Sequence, residues 1–231
     1  KEVTGNESPV TILAWRFPGA NSDEIITLEA LSGILQNGRA GLIDLDVNQQ
    51  QLTLGMYSGV ESLADYSIFL VEAEPKPGQT LDEVREIALA EIEKIKAGDF
   101  DESLLESVVN NLKRDSMRAT ESTGYMARLA VNSFINDVPW QKVVNEPELL
   151  SKITKEDIVN FANANFNNNY VQVKKLQGVP EDDGSKIDKP AITPIFTNRD
   201  TASVFLRSIQ AEAASVAPIE PVFVDFTKDM S

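Results

Sequence analysis

Thr80-Leu81-Asp82-Glu83 opens the most legible element of the chain. The threonine hydroxyl and the glutamate carboxylate make a capping box, in which each side chain satisfies a backbone N–H at the start of a helix. Leu81, Val84, Ala88, Ile92 and Ile95 then recur at helical spacing, and Gly98 stands where a left-handed residue closes a helix without a Cβ penalty. A second helix starts at Asp101 and carries Leu104, Leu105, Val108, Val109 and Leu112 to about Thr120. After the break Ser122-Thr123-Gly124, a third stripe continues through Tyr125, Met126, Leu129, Ala130, Ser133 and Phe134.

Upstream, Pro9 to Phe17 is dense in strand formers and is stopped by Pro18-Gly19, and a helix follows through Ile25, Leu28, Leu31, Ile34 and Leu35 to Gly38. Gln51 to Ser58 and Asp65 to Ala73 predict two adjacent antiparallel strands, separated by a Ser58-Gly59 break. Downstream, Pro139 to Leu150 is short and mixed, Thr154-Lys155-Glu156-Asp157 caps a helix to about Phe166, and Tyr170 to Leu176 reads as a last strand. The predicted order is β-α-β-β-α-α-α-α-β. Past Gly178 the composition turns polar and proline-punctuated, so the expected domain is residues 1–178. Residues 179–231 read as an extended linker whose periodic part is a short helix from Thr201 to about Ala213. Val222-Phe223-Val224-Asp225-Phe226 is an apolar extended piece that needs a partner surface.

In 231 residues there are 21 Lys and Arg against 36 Asp and Glu, a formal charge of −15. Such a surface is repelled by nucleic-acid phosphates and anionic headgroups, so no nucleic-acid partner is expected. No apolar run is long enough to predict membrane insertion. The start at Lys1 instead of Met suits a mature product or a piece of something longer. Histidine and cysteine are both absent. These side chains supply most transition-metal ligands and most near-neutral bases and nucleophiles, so zinc-type and Ser-His or Cys-His chemistry is excluded within this chain. Calcium, magnesium and carboxylate-pair chemistry stay open.

Four local patterns each have a plain structural explanation beside a functional one. Gly33 to Ala40 approaches a P-loop but lacks its lysine and hydroxyl residue and follows a helix instead of a strand, so a helix C-cap is the better reading. The acidic groups around Asp99 to Glu102 and Glu181 to Asp183 lack EF-hand spacing and read as solvated charge. Asn163 to Asn169 reads as a helix end running into a turn. Arg118 and Tyr125 fall at the end of one helix and the start of the next, where they can present a guanidinium and a phenol to a peptide carbonyl. Their plain reading is a solvated arginine and a partly buried tyrosine.

The element order, the Asn37-Gly38-Arg39-Ala40-Gly41-Leu42 loop and the capped helix from Thr80 followed by Gly98-Asp99-Phe100-Asp101-Glu102 together resemble the repeating domain of the pitrilysin/insulinase-type zinc peptidases, family M16. The resemblance covers about residues 8–177. It implies an α+β fold of the LuxS/MPP-like metallohydrolase type, a two-layer antiparallel sheet with helices on one face, together with a chamber that encloses peptide substrates and a zinc held by an inverted His-x-x-Glu-His motif with a further glutamate. The chain departs from the family at that motif, so no metal and no catalytic residue is expected here. Zinc belongs instead to the parent enzyme, in another domain of the same polypeptide or a partner M16 subunit. Arg118 and Tyr125 resemble the family's Arg-x6-Tyr substrate-binding pair, and residues 179–231 resemble the hinge between the two halves of long members. The implied role is a noncatalytic, chamber-forming domain of a metalloendopeptidase. The alternative is a stand-alone inactive interaction or assembly subunit.

Overall fold

The computed structural model describes residues 1–179, 192, 193, 201–215 and 217. The chain divides into two compact units, residues 1–182 and 183–231. In the first, β1 (Glu2–Gly5), β2 (Val10–Pro18), β3 (Gly55–Ser62), β4 (Tyr66–Glu74) and β5 (Val171–Gln177) form a five-stranded sheet in the order β1-β5-β2-β4-β3. Its helices are α1 (Glu24–Leu35), α2 (Leu81–Ala97), α3 (Glu102–Thr120), α4 (Thr123–Ile135), α5 (Trp140–Leu150) and α6 (Lys155–Asn165). The second unit contains α7 (Val204–Ser215), which overlaps the helix expected from Thr201, while Val222–Phe226 lies outside the described residues.

The expected α+β class holds. Leu13, Trp15 and Phe17 of β2 alternate inward and are buried, whereas Arg16, exposed on the other face, lies 4.6 Å from the centre of the Tyr66 ring. The helices supply the second layer: Leu28, Leu31 and Ile34 of α1, Val84, Ala88, Ile92 and Ile95 of α2, and Ile158 of α6 join the strand residues in one core. Phe166, just past α6, stands edge-on to Trp15 at 5.2 Å and to Phe69 at 5.0 Å, so the asparagine-rich helix end delivers an aromatic anchor to the sheet. The capping box at Thr80 is present, with both Glu83 N–H to Thr80 Oγ1 (3.2 Å) and Thr80 N–H to Glu83 Oε2 (2.7 Å), and Gly98 closes α2 at φ +70°.

Several elements differ from expectation. β1 is an added edge strand and pairs with β5 in parallel, so the sheet is antiparallel except at that edge. β3 runs from Gly55 to Ser62 instead of ending at Ser58, and Ser58 and Gly59 pair opposite Val71 and Leu70. The reversal lies at residues 63–65, and a serine-glycine pair is tolerated because β3 is an edge strand of mixed exposure. Its outer edge is capped by side chains: Asn48 exchanges two 2.9 Å hydrogen bonds with the Met56 backbone, and Gln36 Oε1 accepts from Ser58 N–H at 2.8 Å. This masks an edge that would otherwise pair with another strand. The mixed segment after Pro139 is the helix α5, with Pro147 inside it.

α1 ends at Leu35, short of Gly38, because the chain then wraps around one buried carboxylate. Asp44, at the start of a π-helical turn (Ile43–Asn48), accepts at Oδ2 from the backbone N–H groups of Asn37 (2.9 Å), Arg39 (3.0 Å) and Gly41 (3.1 Å). The amides that converge in this loop, whose sequence approaches a phosphate-loop pattern, therefore hold the chain's own anion. Gly33 lies within α1, where a Cβ would come within 2.5 Å of Val108 Cγ1, so its absence of a side chain lets α1 and α3 cross closely.

Candidate functional site

Arg118 occupies the last turn of α3 and is exposed. Tyr125 lies in the first turn of α4, where Ser122 caps the helix by accepting the Tyr125 N–H at Oγ (3.3 Å). The intervening Glu121 and Ser122 close back onto the carbonyls of Arg118 and Ala119 (3.2 and 3.0 Å), so the break seen in the sequence is a tight helix-to-helix corner. Tyr125 is partly buried and lines a groove of about 340 Å³ with Leu112, Ser116, Leu129, Val143 and Glu146. Arg118 is not among the residues lining that groove, and no hydrogen bond joins it to Tyr125 among the described residues. The structure thus puts Tyr125 on a concave surface and leaves Arg118 exposed on the adjoining turn, with no ion pair among the described residues.

The groove ends on a carboxylate that sequence reasoning did not single out. Glu146 of α5 also lines a smaller cavity of about 70 Å³ together with Glu29 of α1 and Lys142. Burial, reinforced by the negative charge of Glu146, pushes the Glu29 carboxyl up to about 7, and burial likewise raises Glu146. Lys142 does not neutralise the pair: its ammonium is engaged by Asp23 Oδ1 (2.8 Å) and the Asn21 carbonyl (2.6 Å). The signal for both carboxylates was present, since Glu29 follows Ile25 by one helical turn and Glu146 lies between Val143 and Leu150 on one stripe. Pro147 concealed the second stripe by making the segment look non-helical.

Among the described residues no group of three or more histidine, cysteine, aspartate or glutamate side chains is arranged to hold a metal ion, and no helix is long and apolar enough to cross a membrane. α4 has no buried residue, and no acid interrupts its sequence. Val131, Phe134 and Ile135 are exposed there, Phe134 to 86%.

The domain is a sheet layered with helices, and its sequence has neither an imidazole nor a thiol to offer a transition metal. Residues 1–112 match the family model of the Peptidase M16 inactive domain. Over that stretch the chain is similar to the noncatalytic domain of M16 peptidases. It is 25% identical over 156 residues to the zinc protease PqqE of Helicobacter pylori, a match covering 67% of this chain and 35% of that protein. A protease structure from Helicobacter pylori superposes with a TM-score of 0.69 at 22% identity, covering 75% of this chain and 43% of that one. A peptidase M16 inactive domain from Pseudomonas fluorescens superposes with a TM-score of 0.64 at 14% identity, covering 78% and 43%. The chain therefore spans less than half the length of these relatives, and the LuxS/MPP-like fold expected for it is shown.

Proposed function

We propose that this domain forms one wall of a peptide-enclosing chamber in a zinc-dependent metalloendopeptidase, with the metal, its bound water and the general base on another domain of the same polypeptide. One observation carries the reading: the chain matches the inactive domain of a zinc-peptidase family while having no histidine with which to hold zinc. In this arrangement residues 1–178 are the wall and 179–231 the hinge toward a further half of the protein. The apolar, acid-free face of α4 suits contact with a neighbouring domain.

Arg118 and Tyr125 are the residues proposed to touch substrate. The exposed guanidinium and the phenol at the groove each donate a hydrogen bond to a peptide carbonyl, holding the backbone across from the zinc. A charge-assisted hydrogen bond contributes about 1.5 to 3 kcal/mol, so Arg118→Ala in the full-length parent lowers kcat/KM by about one to two orders of magnitude. Tyr125→Phe costs less, because it removes the hydroxyl alone. Unchanged kinetics in Arg118→Ala, with a melting temperature lowered only by Tyr125→Ala, would make both residues structural. The parent reading itself is tested by looking for His-x-x-Glu-His in the polypeptide that precedes Lys1. A protein lacking that motif throughout would be the inactive assembly subunit instead.

A further inference from the structure

In a protein carrying a formal charge of −15, a concave site bounded by two arginines runs against the overall field. A cleft of about 350 Å³ is lined by Gln36, Asn37, Arg39, Asn111, Arg114 and Asp115, above the point where Gly33 of α1 meets Val108 of α3. Arg39 is placed there by its backbone: its N–H is shared between Asp44 Oδ2 (3.0 Å) and Asn37 Oδ1 (3.1 Å), while Asn37 Nδ2 donates to the Gly33 carbonyl (3.2 Å). The loop is thereby tied to the end of α1. Its guanidinium is exposed, and no carboxylate among the described residues pairs with it. Across the cleft, Arg114 uses Nε on Asp115 Oδ1 (3.2 Å), and among the described residues both terminal nitrogens are unengaged. Asn111 lies one turn earlier on the same helix, and Arg118 one turn later.

We propose that this cleft binds a carboxylate carried by a peptide, held between the guanidiniums of Arg39 and Arg114 with the Asn111 amide as a further donor. The guanidinium fork matches the planar, two-oxygen geometry of a carboxylate. Charge selects a monoanion. Two guanidiniums and the Asp115 carboxylate leave the lining with one excess positive charge, which a single carboxylate neutralises and a dianionic phosphate overshoots within an acidic surround. That the carboxylate belongs to a peptide rests on the function proposed above. The cleft and the Tyr125 groove share Leu112 and Asp115, so one extended chain lying along α3 reaches both.

The test uses the full chain, without zinc, and four probes at low salt: acetyl-tetra-alanine as the free acid, the same peptide as its amide, an amide of equal length with one internal glutamate, and inorganic phosphate. Binding is followed by calorimetry and by the Nε–Hε resonances of Arg39 and Arg114. The expected result is that a carboxylate-bearing probe binds at least about tenfold more tightly than the uncharged amide, which is the discrimination a charge-assisted hydrogen bond provides. Arg39→Gln or Arg114→Gln removes that difference without changing the melting temperature, since both side chains are solvent-exposed. Arg39→Lys, which keeps the charge and loses the fork, retains only part of it. Equal binding of acid and amide, no binding of either acid, persistence of the difference in both glutamine variants, or tighter binding of phosphate than of any peptide would overturn the proposal. Any of these failures would leave the chamber reading standing, because that reading is judged on kcat/KM of the parent and on its upstream sequence.

Discussion

Asp44→Ala is expected to lower the melting temperature of the domain by about 10 °C. Three backbone N–H groups, from Asn37, Arg39 and Gly41, converge on Asp44 Oδ2, and the one from Gly41 is buried. Alanine leaves the Asn37 and Gly41 donors without this acceptor and the Arg39 N–H with only Asn37 Oδ1, in a place that water enters poorly. Orphaning buried donors costs about 1 to 3 kcal/mol each, less where solvent reaches them, so a total of about 3 to 5 kcal/mol is expected. In a unit of this size each kcal/mol is roughly 2 to 4 °C. Asp44→Asn keeps a carbonyl oxygen to accept and loses the charge that strengthens the contacts, so its effect is smaller. Gly41 cannot make room for a relaxed loop, because a Cβ there would lie 2.5 Å from the Leu35 carbonyl oxygen. Thermal unfolding of the two variants checks this: a shift below about 2 °C for Asp44→Ala would mean that the loop is held by something other than its internal anion. The same variant removes one of the two hydrogen bonds that hold the Arg39 backbone and should weaken carboxylate binding in the cleft even where the protein remains folded.

The second large effect is a fall in stability as pH rises. Glu29 has its carboxyl pushed up to about 7 from an ordinary 4.5, first by burial and then by Glu146, and Glu146 is raised by burial as well. A carboxyl whose folded value lies above its unfolded value binds its proton more tightly in the folded protein. Its contribution is fully present below about pH 4.5 and is lost as pH climbs through about 7. At about 1.4 kcal/mol per pH unit the interval amounts to roughly 3 kcal/mol as an upper bound, reduced by the solvent that reaches these partly buried groups. The melting temperature should therefore decline between pH 5 and 8, once the opposite slope of surface-paired carboxylates such as Asp23 and Asp82 is exhausted at lower pH. Glu29→Gln, an uncharged analogue of the protonated acid, should raise the melting temperature at pH 8 and flatten the decline, leaving the smaller part due to Glu146. Parallel profiles for the wild type and Glu29→Gln would show that Glu29 ionises without penalty. Because Glu146 also lines the Tyr125 groove, this titration sets the charge that a bound peptide meets there.

What could be read in the residues followed from interactions that are local or periodic. The capping boxes at Thr80 and Thr154, the stripes of α1, α2 and α3, the strand from Pro9 to Phe17 and the absence of histidine each need only neighbours a few positions away, or a count, to be interpreted. They were enough for the family resemblance, for the α+β class that it implies, and for the expectation that this chain does no zinc-type chemistry. Position in space decided the rest. β1 has too few residues to show alternation and exists because β5, more than 160 positions away, offers it an edge at Gly5 to Gln177. β3 shifted by several residues because pairing with β4 outweighed the breaker character of Ser58-Gly59. α5 formed through a proline because Leu150 gained a buried place against its neighbours. The site divides in the same way. Arg118 and Tyr125 were visible as a spacing across a helix break, whereas Glu29 with Glu146, Arg39 with Arg114 and the Asp44 nest join residues from different elements. Burial, cavity and charge at those places depend on what a distant segment brings alongside, and only the packed chain supplies that.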